Sequence, residues 1–207
     1  MRAVCVFCAA NESIDERYRR YAAEVGAGMA RRGWAVISGG GSVSSMGSLA
    51  RAARENGGTT VGVIPQALMG WEVADLESDE LVVTSDMRSR KAEMDRRSDA
   101  FLVLPGGLGT LEEFFEVWVG RSLGMHRKPI VVLDPWEDFL PLRELVSGLV
   151  AKGFASPTVA AEVHWTVDAA TAFDLIEADW RAGEGRGVTP DPSPSGRPDA
   201  VLGLESD

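Results

Sequence analysis

Phe101-Leu102-Val103-Leu104-Pro105-Gly106-Gly107-Leu108-Gly109-Thr110-Leu111-Glu112-Glu113 is the stretch whose reading decides the fold. Four apolar residues in a row fit a strand buried on both faces, as at the centre of a parallel sheet. Proline and the glycines then break the strand. After them Leu111, Phe114, Phe115 and Trp118 recur at helical spacing and predict a helix over 110–123 with a buried stripe. Strand, glycine loop and helix in that order make a βα unit. Gly106, Gly107 and Gly109 remove side chains where a ligand would approach the backbone amides of Leu108 and Thr110, and a helix start offers N–H groups and a positive dipole end. The expectation is an anion site. The stripe turns Glu112, Glu113 and Glu116 away from the core. Glu113 also has a structural reading, because Thr110-x-x-Glu113 matches a capping box.

Outward from this unit, strand-like and helix-like segments alternate from residue 3 to about 180, the pattern of an α/β domain with a parallel sheet and helices on both faces. Strands are predicted at 3–8, 34–38, 60–64, 81–84, 101–104, 130–133 and 163–167. Helices are predicted at 14–32, opened by a Ser13/Glu16 capping box, and at 45–56, 86–97, 110–123, 137–152 and 169–181. Residues 66–80 read as an irregular excursion. The fold expected is a Rossmann-like, doubly wound sheet in one domain, residues 1–182. The glycines and prolines of 183–207 predict a disordered tail.

In such sheets ligands bind beyond the carboxyl ends of the strands. A second glycine loop, Ser38-Gly39-Gly40-Gly41 leading to Met46-Gly47, sits at such an end, so Gly40 and Gly41 are binding candidates. It is neither a Walker loop nor a G-x-G-x-x-G, and no acid closes the next strand at Ile64-Pro65-Gln66, which argues against a dinucleotide dehydrogenase. Cys5 and Cys8 form a C-x-x-C, but on a strand residues three apart face opposite ways, so a redox or metal role is not expected.

The net charge of −10 disfavours nucleic acid and anionic membrane as partners. No apolar run approaches the ~20 residues of a membrane span. The first apolar stretch is too short for a secretory signal, so a cytoplasmic location is expected. Met87 to Arg97 is the one basic island, five positive side chains against two negative. Cations at a helix start oppose the macrodipole, which suggests an anionic ligand.

Together, Pro105-Gly106-Gly107-x-Gly109-Thr110-x-x-Glu113 and Arg90-Lys91-x-x-Met94 resemble the hallmarks of the Lonely guy type cytokinin-activating phosphoribohydrolases, often labelled lysine decarboxylase-like. Gly39-Gly40-Gly41-x-Val43-x-x-Met46-Gly47, Gly62-Val63-Ile64-Pro65, Ser98-Asp99-Ala100-Phe101 and Leu123-Gly124-x-His126-x-Lys128-Pro129 support the match over about residues 3–155. The decarboxylase label fits poorly, because a pyridoxal enzyme needs a Schiff-base lysine and only Lys91, Lys128 and Lys152 are present.

The resemblance implies hydrolysis of the N-glycosidic bond of adenosine 5'-monophosphates, often N6-substituted, to a free adenine-type base and ribose 5-phosphate. It implies that Gly106 to Thr110 hold the 5'-phosphate, supported by the first glycine loop. Arg90 and a carboxylate of the Glu112/Glu113 pair would carry the chemistry, Glu72 and Lys91 would contact substrate, and the chain would form a homodimer with sites near the interface. No metal or cofactor is expected. Cys8-Ala9-Ala10-Asn11, Ser44-Ser45, Val119-Gly120-Arg121-Ser122 and Asp75 depart from the family pattern at positions bordering the site. The competing reading is a non-catalytic carrier of a nucleotide or pterin phosphate, such as a molybdenum cofactor.

Overall fold

A computed structural model describes residues 1–69 and 73–184 of the 207-residue chain. Seven strands form one parallel sheet: β1 (Ala3–Phe7), β2 (Ala35–Ser38), β3 (Thr60–Pro65), β4 (Glu80–Thr84), β5 (Ala100–Val103), β6 (Ile130–Leu133) and β7 (Val163–Thr166). Helices alternate with them: α1 (Glu16–Arg31), α2 (Ser44–Glu55), α3 (Met87–Arg97), α4 (Leu108–Ser122), α5 (Leu140–Ala151), the single turn α6 (Pro157–Ala160) and α7 (Ala169–Glu184). The strand order is β4-β3-β2-β1-β5-β6-β7. From β1 the chain winds outward through β2, β3 and β4, then returns to place β5 on the other side of β1. The switch point of this doubly wound sheet lies between β1 and β5, paired in register from Val4↔Ala100 to Phe7↔Val103.

The two-residue period of the strands splits the core in two. Val4, Val6, Val36, Leu102 and Leu133 face α1, α2 and α7, through Val25, Met29, Leu49, Ala53, Phe173 and Ile176. Cys5, Phe7, Ile37, Phe101, Val103 and Val132 face α3 and α4, through Met94, Phe114 and Trp118. Burial on both faces explains why the central strands are apolar without alternation. Cys5 and Cys8 fall in opposite layers, as the strand period requires.

Several boundaries move for local reasons. Asp15, not Ser13, caps α1 by accepting the Arg17 N–H at 2.8 Å, while the Ser13 N–H is drawn to Asn11 Oδ1. Helix α4 starts at Leu108 because Gly107 takes the N-cap position; Thr110 therefore lies inside the first turn, and the Thr110/Glu113 capping box does not form. The stripe of α4 is Thr110, Phe114 and Trp118, with Phe115 left 38% exposed. Helix α5 begins late because the Asp134 carboxylate accepts the Asp138 and Phe139 N–H groups ahead of it. Helix α6, capped by Ser156, was not foreseen. Helix α7 runs to Glu184, two residues past the expected domain end; the rest of the expected tail lies outside the described residues.

Two chemical consequences follow from this packing. Burial and the nearby Glu113 carboxylate push the Cys8 thiol up to about 12, and burial raises Cys5 as well. Because only the thiolate is nucleophilic, a thiol-specific disulfide reagent at pH 8 should modify neither cysteine rapidly in the folded protein and both after denaturation. A fast-reacting thiol before unfolding would contradict the packing.

His126 lies tilted against Phe101, donates from Nε2 to the Val117 carbonyl at 2.8 Å and accepts the Lys128 N–H at Nδ1. Burial lowers its pKa, with Asp95 opposing that shift and Lys128 and Arg121 reinforcing it. The unfolded chain then binds the proton more tightly, so stability falls as pH drops through about 6.5 toward the lower folded value. Urea midpoints at pH 7.5 and 5.5 should show this loss, and His126→Gln should make it smaller.

Candidate active site

At the carboxyl end of the switch point a crevice of about 570 Å3 opens between the loop after β1 and the loop after β5. Its size is that of a small-molecule site. One wall is Pro105, Gly106, Gly107, Gly109, Thr110 and Glu113; the other is Cys8, Ala9, Ala10 and Asn11, and Ile14, Tyr18, Met46, Arg90, Asp138 and Phe139 complete the lining.

The first wall is shaped by missing side chains. Gly107 is the N-cap of α4 and has no side chain to accept the N–H groups of the first turn, so those amides and the positive end of the dipole are presented at the crevice. Gly106 packs against the buried Thr110, and a Cβ there would overlap the Thr110 hydroxyl and methyl groups. Leu108 points away at 87% exposure; only its backbone belongs to the loop's geometry.

Arg90 comes from α3, which Asp86 caps by accepting the Ser89 N–H at 2.8 Å. Its side chain is 6% exposed. Nε donates to the Val63 carbonyl at 3.0 Å and Nη2 to the Gly39 carbonyl at 3.2 Å, which ties the guanidinium to the ends of β3 and β2. Gly39 has to be glycine, since a Cβ would occupy the space of the guanidinium. Nη1 stands 3.6 Å from Glu113 Oε1, whose side chain is 12% exposed. The pair joins α3 to α4 under the crevice.

The glutamates therefore separate. Glu113 turns inward between the crevice and a second groove, whereas Glu112 and Glu116, about half exposed, both pair with Lys91. That second groove, about 710 Å3, runs between α3 and α4 and is lined by Arg88, Lys91, Glu112, Glu113, Phe115, Glu116, Val119 and Met125 among others. All three glutamates avoid the hydrophobic core, as the stripe requires, but Glu112 and Glu116 reach the surface while Glu113 is mostly buried on the crevice. Adjacent helix positions differ by about 100°, which is enough to send one carboxylate into the site and its neighbour to the surface.

The basic island also divides. Arg96 and Arg97 lie in the last turn of α3, where cations are favourable, and pair with Glu93 and Glu80; Arg90 alone of the island lines the crevice. Gly40 and Gly41 stand behind it. Gly40, at φ 77°, backs onto Val63 and Ile64, and Gly41 bridges to Ala74. Glu72 lies outside the described residues. None of the three lysines lines the crevice, and Lys91 and Lys128 are held in ion pairs.

The family resemblance sets Cys8 to Asn11 at the border of the site, and the switch-point rule applied to the observed strand order places the loop after β1 there as well. Ile14, Tyr18, Asp138 and Phe139 carry no local signal, because long-range packing of α1 against the segment after β6 brings them together. Among the described residues no cluster of three potential metal ligands is present, and no helix is long and apolar enough to cross a membrane.

The family model described as "Possible lysine decarboxylase" matches residues 46–176, more than half of the chain. A cytokinin riboside 5'-monophosphate phosphoribohydrolase of Mycobacterium tuberculosis is 54% identical over 155 residues, 75% of this chain and 82% of that protein. The protein of the same name from Rhodococcoides fascians is 41% identical, over 86% of this chain and 90% of that one. In structure the chain is similar to the molybdenum cofactor binding protein of Rippkaea orientalis, with a TM-score of 0.67 at 24% identity over 86% of this chain and 96% of that one. That likeness concerns the fold, a Rossmann-like parallel sheet. The two hallmark segments that build the crevice, Arg90 to Met94 and Pro105 to Glu113, both fall within the matched residues, and the chain belongs to the lysine decarboxylase-like family that includes the cytokinin riboside 5'-monophosphate phosphoribohydrolases.

Proposed function

We propose that this chain hydrolyses the N-glycosidic bond of adenosine 5'-monophosphates, including N6-substituted ones, to give an adenine-type base and ribose 5-phosphate. The observation that carries the reading is the meeting, in one crevice, of the uncapped amides of α4 with a carboxylate one turn further along the same helix, set beside a buried guanidinium. A phosphate on the amides of 107–110 puts the attached ribose within reach of Glu113. Cleaving the bond builds positive charge on the anomeric carbon, which a carboxylate stabilises. The same carboxylate can orient water, whose oxygen joins the anomeric carbon while a proton ends on the departing base.

Arg90 has a definite part in this scheme. With Nε and Nη2 held by carbonyls, it faces Glu113 from a fixed position and holds that carboxylate beside the crevice. The net charge of −10 does not oppose a small phosphate, because screening over about 8–10 Å hides distant carboxylates. Glu112 and Lys91, which pair on the outer groove, are proposed to support α3 and α4 there. The exposed Phe115, Val119 and Met125 that line it favour a homodimer packed over that groove. Two free thiols accord with a cytoplasmic setting.

Chromatography of purified protein incubated with AMP or isopentenyladenosine monophosphate should show free base. Tight binding without product would favour the carrier reading instead. Glu113→Gln should lower kcat by about 10²–10⁴-fold. Glu112→Gln should cost far less, and equal losses would move the reaction toward the outer groove. Gly106→Ala, whose methyl group must displace Thr110, should weaken AMP binding about tenfold or more by calorimetry, as expected when backbone donors are misplaced.

A further inference from the structure

Arg54, in the last turn of α2, and Asp75, in the excursion after β3, form a bidentate pair at 2.7 and 3.2 Å with 17% and 5% of their side chains exposed. Neither residue lines the crevice. The Asp75 carboxylate also accepts from the Ser78 hydroxyl and the Glu77 N–H, so its lone pairs are engaged from several sides. Its backbone leads to the site. The Asp75 N–H donates to the Gly40 carbonyl at 2.8 Å, Ala74 bridges Gly41, and the Ser42 N–H and hydroxyl both donate to the Val73 carbonyl. Residues 73–75 are thus strapped along 40–42. Immediately before that stretch, the Gly39 carbonyl accepts from Arg90 Nη2.

We propose that Arg54 and Asp75 are a positioning pair for Arg90: by fixing the strap on the first glycine loop, they fix the carbonyl that orients the guanidinium facing Glu113. The ion pair is itself a costly device. Two charges are largely withdrawn from water, and an apolar pair of similar volume would often stabilise the fold as well. Its bidentate geometry supplies what apolar packing does not, a fixed direction. The loop it fixes has little side-chain support of its own. Gly39 leaves room for Arg90, Gly40 takes φ 77°, and the Gly40 and Gly41 N–H groups reach Ser38 Oγ and Met46 Sδ at 3.3 and 3.2 Å, so the strap adds backbone partners from across the loop. What Arg90 does once oriented rests on the phosphoribohydrolase reading; that it is oriented by this pair does not.

The test uses two variants and two readouts. Asp75→Asn keeps the shape and removes the charge; Arg54→Leu combined with Asp75→Asn also removes the stranded cation, so that a folded protein is available. The Arg90 Nη–H groups are followed by low-temperature NMR in arginine-labelled protein, assigned by their loss in Arg90→Lys, and steady-state kinetics with AMP give kcat and KM. In both variants the Nη2–H groups, one of which the Gly39 carbonyl accepts, should exchange at least tenfold faster. The value of kcat should fall about 10–100-fold with KM within threefold, the scale expected when a catalytic group is misplaced by about 1 Å. The double variant should regain melting temperature relative to the single one without regaining kcat. Exchange or kcat within twofold of the unaltered chain in the double variant would overturn the proposal and leave the pair with fold stability alone. If the unaltered chain releases no base, the reaction proposed above fails, and the exchange measurement alone decides whether the pair orients Arg90.

Discussion

A guanidinium only 6% exposed sets the constraint around which the site is built. Arginine stays charged at any working pH, so a buried one needs directed acceptors for its N–H groups and a counter-charge nearby. Arg90 finds the first in the carbonyls of Val63 and Gly39 and the second in Glu113. Those acceptors come from the ends of two neighbouring strands and the carboxylate from a helix that follows a third. The requirement of one side chain therefore ties β2, β3, α3 and α4 together at one end of the sheet. It also explains a glycine, because the space beside Gly39 is filled by the cation.

The sheet topology supplies the opening above that pair. Neighbouring loops of a parallel sheet usually pack on one another, but after β1 the chain goes to one side and after β5 to the other, so the two loops diverge. Into that gap α4 directs its uncapped amides and, one turn on, Glu113. Anion-binding backbone and carboxylate thus share one rigid element. A helix keeps the distance between them fixed better than a loop could, which suits chemistry that depends on where a bound sugar phosphate presents its anomeric carbon.

Much of this was legible in order of residues. The unbroken apolar runs announced parallel strands buried on both faces, and the glycines after Leu104 announced a close backbone approach. Helical phase was harder to read. The expected stripe, Leu111, Phe114, Phe115 and Trp118, shares Phe114 and Trp118 with the observed one, but the start at Leu108 puts Thr110 inside the first turn as its third buried member and leaves Phe115 exposed. At about 100° per residue that moves the centre of the buried face by about 50° toward Glu113, which brings the carboxylate from the far side of the helix to the flank where Arg90 meets it. Helix boundaries are among the weakest inferences from sequence because glycine N-caps compete with side-chain caps on nearly even terms.

The sequence alone determined the fold class, the order of the strands and of every helix but α6, the glycine loop leading into a helix, and the set of charged residues from which the site is drawn. These follow from short-range rules: strand and helix periods, capping, and the conformational range of glycine. Only the tertiary structure decided which of those charges meet. It sent Arg90 to Glu113 and Lys91 to Glu112 and Glu116, buried Asp75 on Arg54, and brought Tyr18 and Phe139 into the lining of the crevice. The physical reason is that burial of a charge is settled by its partners, and those partners come from elements dozens of residues apart that only the packed sheet brings within a few ångströms.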